Sequence, residues 1–187
     1  PTYKPFLAMV GAAVFIISCM PIPVPTAGTC SHPCGTGLAA ILIGPAPTVV
    51  VTSIALLLQG LFLAHGGLST LGANIVSMGV VGAFVGYGIF RLSTKAGLPV
   101  LLAAFLAGAF ADWATYATTS LELATALHGG TSAMTMFLAI GAAFIPTQLP
   151  LGIFEGVLSL GAYRFIRQRR PEMLSPELTP AREGGIS

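Results

Sequence analysis

Charged side chains are scarce in this chain. Eight Lys or Arg and six Asp or Glu make up 7% of its 187 residues, where a soluble globular domain carries about 25%. So few charges cannot coat a water-facing surface. With 55% of the residues hydrophobic, the solvent for most of the protein is lipid. Catalytic signatures are missing too: the sequence holds no Walker loop, nucleophile elbow, HExxH or CxxCH. Without a P-loop the chain cannot itself hydrolyse ATP, and without a catalytic motif it reads as a binding protein rather than an enzyme. No nucleic-acid partner is expected. Cysteines stand only at 19, 30 and 34, too few for a disulfide framework, although Cys30 and Cys34 can pair on an oxidising side.

What remains is a series of apolar runs. A helix needs about 20 such residues to cross a bilayer core. A first span is predicted around residues 6–20, a half-length helix over about 36–44, and a full span over about 47–64. Further spans are predicted over about 70–92, from about 97 to at least 117, and over about 134–166. Gly44, Pro45 and Pro47 separate the second and third segments, while Pro146 and Pro150 are expected to kink or divide the last. The prediction is an all-α integral membrane protein of about six transmembrane segments. Residues 1–168 form its helical domain and residues 169–187 a cytoplasmic, disordered tail.

The basic residues test this arrangement. Lys4, Arg91, Lys95, Arg164, Arg167, Arg169, Arg170 and Arg182 all fall on one side if the six segments alternate, counting the half-length one as a crossing. By the positive-inside rule that side is cytoplasmic. The C-terminus is then cytoplasmic, and the loop over residues 21–36 faces outward. Small residues crowd the spans, as in "GVVGAFVGYG" and "AAFLAGAFA". They suit close helix packing in lipid, within the chain or against a partner membrane protein.

Residues that can carry chemistry are few. Asp112 and Glu155 lie within predicted spans, where an ionisable group is either buried and hydrogen-bonded or functional. The three histidines, His32, His65 and His128, all map to the predicted outer side. His32 sits in "GTCSHPCGTG", between Cys30 and Cys34. Imidazole and thiolate suit late divalent metals, yet this spacing is no known zinc pattern. A metal site, a disulfide-pinned turn and a glycine-rich bend are all compatible with the loop taken alone.

Longer stretches narrow the choice. "SHPCGTGLAAILIGP" (31–45), "LLLQGLFLAHGGLSTLGANIVSMGVVG" (56–82), "TTSLELA" (118–124) and "TQLPLGIFEG" (147–156) resemble the CbiM/NikM family. These are the substrate-binding membrane (S) components of cobalt/nickel energy-coupling-factor (ECF) transporters, and the resemblance lies nearer the cobalt branch. It implies a multi-helix S component of a bacterial or archaeal cell membrane that carries Co²⁺, or Ni²⁺, as transported ligand. It implies, as partners, a transmembrane coupling component and a cytoplasmic ATPase pair. In the family the ion is held by nitrogens: the N-terminal amine, the backbone nitrogen and side chain of a histidine at position two, and the histidine of the "SHPxG" loop. The last corresponds to His32. Ser31, Asn74 and His65 are expected to buttress the metal-bearing loop. Cys34 stands where the family has threonine, so its thiol is not expected as an inherited ligand. The family's Met-His start and first helix have no counterpart after "PTYKPF", and the chain resembles an S component lacking its first helix. The other nitrogens are expected on a preceding segment, a small accessory membrane subunit or another Met-His-bearing polypeptide. The competing expectation is a structural or assembly subunit of a larger membrane complex that keeps the fold without a complete site.

Overall fold

Among the described residues six helical segments follow one another, in the order that the hydropathy predicts. The computed structural model describes residues 3–24, 29–63 and 67–174. Helix α1 (Tyr3–Ser18) leads into a hairpin of β1 (Ile22–Val24) and β2 (Thr29–Ser31), paired antiparallel with Pro23 opposite Cys30. There follow α2 (Thr36–Ile43), α3 (Pro45–Phe62), α4 (Leu71–Lys95), α5 (Val100–Leu127) and α6 (Ala133–Arg169). Helices α3 to α6 are long and apolar enough to cross a membrane, and α1 is a shorter apolar helix.

The exception is α2. Its eight residues rise only about 12 Å at 1.5 Å each, and all eight are buried. Glycines set its ends. Gly35 has φ 67° and Gly44 φ 86°, a region where a Cβ would meet the backbone. Pro45 opens α3 immediately afterwards, where a helix has no use for the missing N–H. Pro146 and Pro150 lie inside α6 without dividing it. At 37 residues that helix is about 55 Å long. It therefore outruns a hydrocarbon core of about 30 Å, and its surplus carries the arginines.

The bundle reverses the usual distribution of polarity. Phe62, Leu92, Ile16 and Phe165 are exposed, whereas Thr48, Thr52, Gln59, Ser77, Asp112, Gln148 and Glu155 are buried. Lipid solvates the first group, and the second must find partners inside. Small residues allow the necessary approach. A Cβ at Gly37 would lie 2.7 Å from the Ala107 carbonyl oxygen, and one at Gly86 2.9 Å from Gly37 Cα. Gly152 leaves room for the Trp113 indole, which donates a hydrogen bond to the Gln148 carbonyl at 3.0 Å. These glycines thus serve contacts within the chain.

Two apolar clusters mark the two ends. One joins Phe6, Ile43, Phe90, Val100 and Tyr163, near Lys4, Arg91, Lys95 and Arg164–Arg170. The other joins Val24, Cys34, Leu56, Met78, Tyr116 and Phe144 beside the hairpin. Beyond α6 the chain makes a short turn at Pro171–Met173, and Leu174 is buried in the basic-end core. The packed structure therefore continues past the expected boundary at 168. Most of the expected tail, residues 175–187, lies outside the described residues.

Candidate metal centre

Strand β2 delivers the chain into residues 32–35, which precede α2. The loop is held deep in the bundle rather than at its rim. Its partner Tyr116 lies eleven residues, about 16 Å, before the end of α5. The Tyr116 hydroxyl accepts the His32 N–H at 2.7 Å and donates to the His32 carbonyl at 3.1 Å. One phenol thus satisfies both backbone groups of His32, and its ring rests on Phe144 with centroids 5.3 Å apart. From α6, the Glu155 carboxylate accepts the backbone N–H groups of Cys34 and Gly35, the second at 3.1 Å. An anion at these N–H groups also complements the start of α2. Irregular backbone at membrane depth needs such partners, because lipid supplies none.

With its backbone fixed, His32 lines a cavity of about 190 Å³, and its Nδ1 lies 3.4 Å from the Pro33 carbonyl oxygen. Asn74, Ser77, Cys34, Thr115 and Thr70 share the cavity wall. Asn74 directly precedes a π-helical stretch, Ile75–Gly82. Such stretches recur at functional sites, and Asn74, Ser77 and Met78 at the start of this one all line the cavity. Ser31 is fully buried, and its hydroxyl has no hydrogen-bond partner. His65 lies outside the described residues. His128 caps the far end of α5, about 18 Å along the helix from Tyr116. It shares the hairpin end with His32 but not the cavity.

Below His32 the structure gathers three groups that the sequence scatters. Cys34 Sγ and carboxylate oxygens of Asp112 and Glu155 lie within 4.8 Å of one another, all buried. Asp112 has no hydrogen-bond partner on either oxygen. Cys34, expected to be incidental, is part of this cluster and is not linked to Cys30: it is buried where Cys30 is exposed. Tyr116 went unread in the sequence. The signal for it was the face it shares with Asp112, four residues earlier on the same helix.

A bundle of lipid-facing helices that folds a glycine-bounded loop and half-helix into its centre, with a histidine on an internal cavity, defines a polytopic membrane protein of the substrate-binding, transporter type. Residues 1–173 match the CbiM family, described as the cobalt uptake substrate-specific transmembrane region, and the chain belongs to that family. Cobalt transport protein CbiM of Sorangium cellulosum is 62% identical over 172 residues, covering 92% of this chain and 76% of that protein. The CbiM of Geobacter sulfurreducens is 58% identical over 174 residues, and there the match spans 50% of the relative. A putative cobalt transport protein CbiM of Methanocaldococcus jannaschii is 45% identical, with 99% and 83% covered. Among solved structures, a transition metal transporter superposes with TM-score 0.77 at 28% identity, over 88% of this chain and 76% of that one. A truncated transition metal transporter gives the same score and identity over 80% of its length.

Proposed function

We propose that this chain is the substrate-binding membrane component of an ATP-driven, ECF-type cobalt importer, and that it captures Co²⁺, with Ni²⁺ as the alternative cargo, at the external face. The observation that carries the reading is the clamp of Tyr116 on both backbone groups of His32, which holds this residue at the wall of a cavity shared with Asn74, Ser77 and Thr115. Imidazole nitrogen is a good donor for late first-row divalent ions and a poor one for Mg²⁺. Asn74, on the same wall, orients the imidazole or a bound water. The remaining nitrogen donors come from a Met-His-bearing segment or subunit seated in the same cavity.

Sidedness follows from charge. The described Lys and Arg residues cluster at the end away from the hairpin, and the positive-inside rule makes that end and the C-terminus cytoplasmic. The energy for inward release comes from a transmembrane coupling component and a cytoplasmic ATPase pair, since this chain has no P-loop.

Isothermal titration with Co²⁺ and Ni²⁺, in the presence of a Met-His-bearing segment, tests the proposal. The wild type is expected to bind, and His32→Ala to lose the heat of binding. Equal binding by His32→Ala would remove that residue from the site. A wild type that binds neither ion under these conditions would instead support the assembly-subunit reading.

A further inference from the structure

The structure holds a second polar centre that cargo capture at His32 does not use. Asp112 is fully buried in α5, and neither of its oxygens has a hydrogen-bond partner. It faces Glu155, also buried. Two adjacent carboxylates inside a membrane bundle repel each other, and the uncompensated one is costly to keep. A cation placed between them removes both costs. Cys34 brings a sulfur to the same point, with the three donor atoms within 4.8 Å of one another. A late divalent ion, with oxygen at about 2.0–2.2 Å and sulfur at about 2.3 Å, spans about 4.5 Å between opposed ligands. The three groups therefore need only small shifts to close on one ion.

We propose that Cys34, Asp112 and Glu155 form a second, buried site for a late first-row divalent cation, one step deeper than the His32 cavity. The proposal rests on the cobalt-cargo reading for the identity of the ion. The donor set itself supports a metal over a shared proton. Two carboxylates can share a proton without a sulfur, whereas a mixed sulfur and oxygen set suits Co²⁺, Ni²⁺ or Zn²⁺ and disfavours Mg²⁺ and Ca²⁺. Cys34 also lines the His32 cavity, so it connects the two sites. Glu155 can serve both the loop and an ion, since a carboxylate has about four lone-pair positions and the loop N–H groups use two. The Thr36 hydroxyl, buried and without a hydrogen-bond partner, begins α2 directly after this loop. Binding forms one metal–sulfur and two metal–oxygen contacts, and both the thiol proton and the proton held by the adjacent buried carboxyl pair leave to water in the cavity.

The test is a titration of the full chain in detergent with Co²⁺ alone, followed by optical absorption. Thiolate-to-cobalt charge transfer in the near ultraviolet is expected to rise and saturate at one equivalent. Cys34→Ser should abolish the band, and Asp112→Asn should weaken the titration at least tenfold. Cys19→Ser and His32→Ala should retain it. The His32→Ala arm separates this proposal from the reading of the cavity, because the band survives the loss of the upper ligand. No band in the wild type, a band that follows Cys30 rather than Cys34, a band lost in His32→Ala, or an unaltered titration in Asp112→Asn would overturn the second site. If Asp112→Asn does not fold, X-ray absorption of cobalt-loaded wild type and Cys34→Ser decides by the presence of a sulfur neighbour in the first only.

Discussion

Replacing Tyr116 with Phe deletes one oxygen and leaves the aromatic body in place. Tyr116 is 7% exposed, and the contact with Phe144 at 5.3 Å survives the change. The backbone of His32, however, loses an acceptor for its N–H at 2.7 Å and a donor for its carbonyl at 3.1 Å. Each buried group left without a partner costs about 1–3 kcal/mol, but the adjoining cavity can admit water to replace part of that loss. A net cost of about 1–3 kcal/mol to the metal-ready loop corresponds to roughly 5- to 150-fold weaker Co²⁺ binding, at 1.4 kcal/mol per decade. Isothermal titration of Tyr116→Phe, with the Met-His-bearing segment present, measures this directly. Tyr163→Phe is the matched control. That hydroxyl is buried and has no hydrogen-bond partner, so its removal is expected to leave affinity alone and to leave the thermal midpoint unchanged or raised. An affinity for Tyr116→Phe within twofold of wild type would refute the idea that the backbone clamp prepares His32.

Three further substitutions test the packing that places the loop. In Gly37→Ala the new methyl would meet the Ala107 carbonyl oxygen at 2.7 Å and Gly108 Cα at 2.9 Å. These are backbone atoms that cannot rotate aside, so overpacking is expected to cost about 1–3 kcal/mol and lower the thermal midpoint by on the order of 2–12 °C. Gly35→Ala forces a side chain to φ 67° and against Ile17 at 3.2 Å. A penalty of about 1–2 kcal/mol is expected from the backbone alone, read by thermal unfolding together with reduced Co²⁺ affinity. Gly161→Ala, where nothing lies within 4 Å, should be neutral or stabilising by up to about 1 kcal/mol; a loss there equal to that of Gly37→Ala would refute the packing argument.

Hydropathy determined that lipid is the solvent, and hydropathy together with the Gly44, Pro45 and Pro47 break determined that six segments follow one another and that the second of them is short. Apolar content adds up over consecutive residues, and Gly35, Gly44 and Pro45 punctuate α2 locally. The "SHPCGTG" loop was legible as a glycine-bounded break between segments, while His32 as a ligand was an expectation drawn from the family resemblance. Its support was not legible: Tyr116 lies 84 positions from His32, and Glu155 lies 121 from Cys34. Only the meeting of helix faces joins them, and that depends on which glycines let which backbones approach. Asp112 and Glu155 could be named in the sequence as in-span carboxylates, but their adjacency, and the sulfur of Cys34 between them and the cavity, is a product of packing. The elements were written in contiguous residues; the site is a property of contacts between segments that no local pattern encodes.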